Sequence, residues 1–321
     1  MKKMYLLGAA VIMTMAFRSE CYSQDSHFSQ FYANPLYLNP AMAGSSRCPS
    51  LHMNYRNQWP ALSGNFVTAS ASYDQYVKSA EGGLGFYILR DQAGQSTYTV
   101  HQAAAMYSYH QDITRSTKVQ FGVQAAFIQR TLDWDKLIFG DQLDPKMGLM
   151  WNTKEQRPVD SKSMVDISSG IVINNKHIFG GVAVHHLTEP DEAFMNLGES
   201  KLPMKYTIHA GMNFYQHGNK RPSLSPNVIY QRQGDFKQLN MGLYWDKEPL
   251  VFGIWSRMIE RDAVILTVGL KGDKYQLGYT YDATISKLAT FSAGAHELSL
   301  SFLFECKNRP KKFRTMFCPS F

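Results

Sequence analysis

Apolar and polar residues alternate along most of the chain with a period of two. Val119, Phe121, Val123, Ala125 and Phe127 interleave with Lys118, Gln120, Gly122, Gln124 and Ala126. Tyr206, Ile208, Ala210, Met212 and Phe214 alternate in the same way with Lys205, Thr207, His209, Gly211 and Asn213. Later stretches repeat the pattern from Leu239 to Trp245, Tyr275 to Tyr281 and Leu298 to Phe304. Successive side chains of an extended backbone point to opposite sides, so such runs predict strands with one apolar and one polar face. Strands are expected near 50–57, 65–77, 83–91, 97–110, 117–129, 163–174, 177–187, 203–216, 224–233, 236–246, 249–257, 262–271, 274–282 and 295–304. Convincing helical periods are few.

A soluble sandwich and a transmembrane barrel both alternate, and the order of the connections separates them. Short turns such as Asn174-Asn175-Lys176, Lys247-Glu248 and Gly272-Asp273 follow even-numbered strands. Long connections, Thr131 to Lys162, Thr188 to Leu202 and Ala283 to Gly294, follow odd-numbered ones. Sorting loops by length onto two sides is the habit of outer-membrane barrels, with short turns in the periplasm. The expected fold is therefore all-β, a transmembrane antiparallel β-barrel of about fourteen strands, with both termini on the periplasmic side. In lipid a sheet must close on itself, because hydrocarbon offers its edges no hydrogen bonds.

Composition agrees with that picture. Aromatic residues make up 13% and charged residues 18%, the latter below the roughly 25% usual for soluble domains. After the N-terminus no apolar stretch reaches the ~18 residues of a spanning helix. Lys2, Lys3 and the apolar run Met4 to Phe17, followed by small residues at Cys21-Tyr22-Ser23, have the layout of a secretory signal over 1–23. Acylation of Cys21 is the alternative, although Arg18-Ser19-Glu20 makes a poor lipobox. Export would place Cys48, Cys306 and Cys318 in an oxidising space; Cys306 and Cys318 either close a loop as a disulfide or remain free thiols. The formal net charge is +7, but the excess sits in the signal and in the tail after Glu305. No basic face remains for nucleic acid.

Chemistry is hard to find. His185-His186 precedes Glu189 and Asp191, yet neighbours on a strand point apart, so no shared metal is expected. Ser299 and Ser301 suggest a barrel hydrolase, with His185 or His209 as base, only if partners lie nearby. The GLGFYIL run at Gly83 to Leu89 lacks the rest of a phosphate loop. Neither an enzyme nor a cofactor is expected.

Two segments carry more information. Residues 28–44 read FSQFYANPLYLNPAMAG and residues 54–60 read NYRNQWP. Together they resemble the opening of the PorP/SprF family of outer-membrane proteins, part of the type IX secretion and gliding machinery of Bacteroidetes-type bacteria. The resemblance implies a barrel needed for secretion or surface attachment of particular cargo, such as gliding adhesins carrying the type B C-terminal sorting domain. It also implies partners in the type IX translocon and its periplasmic ring or lipoprotein components, besides outer-membrane lipid. A passive diffusion or ligand-transport porin is the alternative.

The first motif holds two Asn-Pro steps, Asn34-Pro35 and Asn39-Pro40. Each pushes Asn towards extended or turn backbone and lets a helix start at Pro. Phe28 and Phe31 help make it too apolar for a free terminus, so residues 24–46 are expected to form either a plug in or under the lumen or a fixed cap on the periplasmic rim. Arg56 is expected to face the lumen and bind that segment; Trp59, in the first outer turn, reads as a partner to it or as an interface aromatic. The barrel is placed at 47–304 and a basic tail at 305–321. There Lys307, Arg309, Lys311, Lys312 and Arg314 either dock to an acidic periplasmic partner or stay solvated.

Overall fold

The computed structural model describes residues 24–114, 116–144, 146–155, 157, 159–194, 200–215, 223–259, 263–285 and 292–305. Among these, fourteen antiparallel strands close into one barrel. They are β1 (Ser50–Gln58), β2 (Phe66–Val77), β3 (Gly82–Ala93), β4 (Tyr98–Asp112), β5 (Lys118–Leu132), β6 (Ser161–Asn174) and β7 (Ile178–His185). Then follow β8 (Lys205–Met212), β9 (Leu224–Gln233), β10 (Phe236–Lys247), β11 (Leu250–Arg257), β12 (Ala263–Lys271), β13 (Tyr275–Thr284) and β14 (Ala295–Leu303). Each strand pairs with its neighbours in sequence, and β1 closes the ring on β14, with Ser50 opposite Leu303 and Gln58 opposite Ala295. All fourteen lie where the alternation places strands, with ends that differ by a few residues. No described helix is long and apolar enough to cross a membrane.

The direction of the alternation identifies the solvent. On β5, Gln120 and Gln124 point inward and are buried, while Phe121, Val123 and Phe127 point outward and are exposed. On β6, Asp166 and Ser168 are fully buried, whereas Val165 is 63% exposed. A water-soluble barrel would reverse this. Outward apolar side chains need hydrocarbon around them, and ring closure satisfies the backbone that hydrocarbon cannot.

The connections sort onto two rims. One rim carries the turns 175–177, 248–249 and 272–274 together with the longer connection between Met212 and Leu224; the other carries the long connections from Leu132 to Ser161, His185 to Lys205 and Thr284 to Ala295 together with tight turns at 94–97 and 234–235. The long loops are partly structured. Loop 133–160 starts with a 3-10 turn at Trp134–Lys136, tied down by Asp133 N donating to Thr97 O at 2.8 Å, and contains a small hairpin pairing Leu143 with Leu149. Loop 186–204 is clamped to the strands by ion pairs, Arg130 to Glu192 at 2.5 Å and Lys162 to Asp191 at 3.0 Å.

The lumen is occupied by the chain's own N-terminal segment. Gln30, Leu36, Asn39, Ala41 and Ala43 all have no exposed surface. The segment contains a 3-10 turn at Phe31–Ala33, a four-residue helix α1 (Pro35–Leu38) and a second 3-10 turn at Pro40–Met42. Both Pro residues stand at the first helical position, where a missing N–H costs nothing.

Candidate functional site

The contact between this segment and the lumen wall runs from one rim to the other. At the long-loop rim, Asp25 N donates to Gln233 Oε1 at 3.1 Å. The Asp25 carboxylate meets His186 Nε2 at 2.8 Å and Lys205 Nζ at 3.4 Å. His186, which lies just beyond β7, holds Asp166 with its other nitrogen at 3.0 Å. Burial alone would raise the Asp25 pKa, but His186 and Lys205 outweigh it and hold the carboxyl well below the usual range. Burial likewise opposes charge on His186, and Asp25 with Asp166 overcomes this to push the imidazolium up to about 9. The Lys205 ammonium also sits 5.0 Å above the Tyr37 ring. Tyr37 closes the turn by donating its hydroxyl to Ser26 O at 2.7 Å.

One step further in, a carboxylate grips the backbone. Ser29 N and Gln30 N donate to the two oxygens of Glu297 at 2.6 and 3.2 Å, and Ser29 Oγ donates to Asp282 at 3.0 Å. Gln30 Nε2 donates to Glu297 O, and its Oε1 accepts from Ser299 Oγ. Arg56 balances the carboxylates, 3.6 Å from Asp282 and 3.8 Å from Glu297, and Arg257 adds a bond to Asp282 at 3.0 Å. Buried charge is tolerable only when paired and hydrogen-bonded in this way.

The middle of the segment is aromatic and amide contact. Phe31 packs on Trp255 at 5.0 Å, while Tyr32 lies edge-on to Phe179 and His209. Asn34 donates to Ser70 Oγ at 2.9 Å, and Asn54 donates to Ala33 O at 3.3 Å. Asn39 does three things at once. It caps the second 3-10 turn by accepting from Ala41 N at 2.9 Å, and its Nδ2 reaches Ile171 O and Val182 O, each at 3.3 Å.

Towards the short-turn rim the segment lies directly on the wall. A Cβ on Gly122 would fall 2.2 Å from Ala41 N, and one on Gly83 would fall 2.0 Å from Ala43 O. The bare glycines are what allow this approach. Ser108 Oγ donates to Ala41 O at 2.8 Å, and Gly44 N donates to Asp74 Oδ2 at 2.7 Å, just before the chain turns into β1. A cavity beside Ser26, His27, Tyr37 and Gln231 measures about 20 Å³, room for about one water.

The residues singled out from sequence divide as follows. Phe28, Phe31, Asn34, Pro35, Asn39 and Pro40 lie inside the barrel. Arg56 faces the lumen and reaches the segment through Glu297 and Asp282. Trp59 does not join them: it has a positive φ of 57° in the turn after β1 and packs edge-on against Phe66 at the long-loop rim. Lys307, Arg309, Lys311, Lys312 and Arg314, with Cys306 and Cys318, fall outside the described residues, as does the stretch 1–23. Cys48, which the sequence left without a partner, is disulfide-bonded.

The two ends of the described chain lie at opposite rims: Asp25 sits among the long loops, whereas Phe304 N bonds Pro49 O at the short-turn rim. The segment traverses the lumen because its polar groups find partners at both ends. One expectation needs correction: His185 and His186 do not point to opposite faces. His186 leaves the strand with φ of 59°, and both rings are buried, 6.5 Å apart. The remaining chemical candidates are engaged: His209 accepts from Asn39 at 3.3 Å, Ser299 binds Gln30 and Ser301 binds His52 at 2.8 Å. Asp25, Lys205, Asp282 and Glu297 carry much of the contact, yet nothing in the local sequence marks them.

A family model described as type IX secretion system membrane protein PorP/SprF matches residues 20–302. The chain belongs to the PorP/SprF family. PorP/SprF proteins are membrane components of the type IX secretion system, and this member is accordingly an outer-membrane β-barrel of that system. No curated protein matches it. Among solved structures it is similar to the P. putida toluene transporter TodX, at 8% identity over 84% of this chain and 93% of that one, with a TM-score of 0.48. It is also similar to the KdgM porin, at 6% identity over 80% of this chain and 99% of that one, with a TM-score of 0.38.

Proposed function

We propose that this PorP/SprF protein is a non-enzymatic, cargo-linked component of type IX secretion, needed for secretion or surface attachment of particular proteins that carry a C-terminal sorting domain of type B. Gliding adhesins are the expected kind of cargo. The N-terminal segment acts as a plug that seals the barrel at rest. The observation that carries this reading is a lumen filled, from rim to rim, by a segment with dedicated hydrogen bonds and ion pairs. A passive porin has no use for such a filling. The short-turn rim faces the periplasm, where the periplasmic ring or lipoprotein components of the translocon would dock, and the basic tail would serve there. Loops 131–162, 188–202 and 283–294 contact cargo or translocon, since barrel closure does not require their length.

The test is deletion of the gene in its own host, with cell-surface proteomes compared by surface labelling. Selective loss of one or two large proteins with a C-terminal sorting domain supports the reading and names the cargo. An unchanged surface with altered uptake of small solutes contradicts it.

A further inference from the structure

We infer that, with residues 1–23 removed as a secretory signal, the N-terminal segment is a tethered stopper: its free end is presented at the long-loop face, its root is fixed at the short-turn rim, and the lumen clears by the segment leaving through the short-turn opening, hinged at Gly44. The inference rests on the reading of the segment as a seal and adds the direction and the parts of its movement.

The root is held strongly. Gly44 N binds Asp74, which also accepts from Ser50 Oγ at 2.5 Å; Arg47 pairs with Asp112 at 3.9 Å, and Cys48 is disulfide-bonded before β1 begins at Ser50. Among the described residues the other end is held by noncovalent contacts: Asp25 to His186, Lys205 and Gln233, then Ser29 and Gln30 to Glu297. Gln24 is exposed. A chain fixed at one rim and drawn out through the other would still cross the whole lumen. Leaving through the rim that holds its root clears it. Gly44 suits the bend, because its φ of +69° is a left-handed conformation that a side chain rarely adopts, and a Cβ there would lie 2.5 Å from Gly83 Cα. Beyond the latch to His186 and Lys205, the polar partners along the path are hydroxyls, amides, carboxylates, backbone carbonyls and the His209 ring, which water can replace as the segment withdraws.

The experiment uses the full-length protein in its own membrane and a membrane-impermeant maleimide. Gln24→Cys is compared with Lys154→Cys, exposed in loop 133–160, and Lys176→Cys, exposed in the turn between β6 and β7. Labelling of the parent protein provides the background. The expected result is that Gln24→Cys reacts from the same side as Lys154→Cys. Adding Asp25→Asn with Lys205→Met then raises its reactivity from the Lys176→Cys side by about tenfold or more. Oxidising a further pair, Asn34→Cys with Ser70→Cys, whose side chains touch in the parent, abolishes that rise. Folded barrel is verified by heat-modifiable mobility on gels. Gln24→Cys reacting with Lys176→Cys in the parent overturns the threading. A latch variant that conducts ions while Gln24→Cys stays at the Lys154 side overturns the direction. Because each comparison uses a marker on either face, the outcome is independent of which face lies outside the cell and of what cargo the protein serves.

Discussion

Substituting Gly122 by Ala is the sharpest way to strain the seal without touching the lipid-facing wall. The added Cβ points into the lumen, 2.2 Å from Ala41 N and 2.4 Å from the Pro40 carbonyl carbon. Both are backbone atoms, so no side-chain rotation relieves the clash. Ordinary contact begins near 3.4 Å, so the segment must lift by about 1 Å. That displacement stretches the bond from Ser108 to Ala41 O and the cap from Asn39 to Ala41 N. Overpacking of this kind costs about 1–3 kcal/mol and a lost hydrogen bond about 1 more. Together these weaken docking by about 2–4 kcal/mol, which raises the undocked population by about 30- to 1,000-fold. Hydrogen exchange of purified protein in lipid nanodiscs reads this through the amides of Met42 and Ala43, which donate to Asn39 O and Pro40 O. Gly64→Ala, where the added Cβ meets nothing within 4 Å, serves as control. If Gly122→Ala leaves protection of residues 41–45 within about twofold of the parent while the barrel stays folded, the close approach does not govern docking.

Other outcomes follow from the same contacts. The latch between Asp25 and His186 should depend on pH: His186 is pushed from 6.5 to about 9 in place, so its contribution is full below about 6.5 and gone above about 9. Exposure of the segment, read by limited proteolysis, should therefore rise across that window, and His186→Gln should flatten the response. Arg56→Met leaves Asp282 and Glu297 with less compensation and should lower barrel stability by about 3–5 kcal/mol, seen as a drop in the temperature at which heat-modified mobility is lost. Asn39→Ala removes a cap and three wall contacts, to Ile171 O, Val182 O and His209, and should deprotect residues 39–43 at a cost of about 1–3 kcal/mol. Trimming 138–151 should leave folding intact while surface display of cargo falls, which a surface proteome would record.

The barrel was legible because its signal is local. Alternation and turn residues determine each strand from a window of about ten residues, and loop lengths order the strands without any three-dimensional knowledge. The Asn-Pro steps were legible for the same reason: Asn34 and Asn39 sit where their chemistry starts a helix. What escaped was pairing at a distance. Ser29 meets Glu297 across 268 positions of sequence and Asp25 meets Lys205 across 180. A lumen-facing Glu297 in the run AHELSLSFL looks like any polar residue of an alternating strand. The two histidines were misread because a single positive φ at His186 breaks the alternation that placed them apart. The path of the N-terminal segment escaped for a related reason. Counting strands locates the ends of the barrel, but not a segment that turns back through it.

The most direct measurement on the central claim is ion conductance of the purified protein in planar bilayers, comparing the intact chain with one lacking residues 24–44. A sealed, cargo-linked barrel should be silent when intact and should conduct steadily once the segment is removed. Steady conductance by the intact protein, unchanged by the deletion, would contradict the account and make this barrel a passive pore.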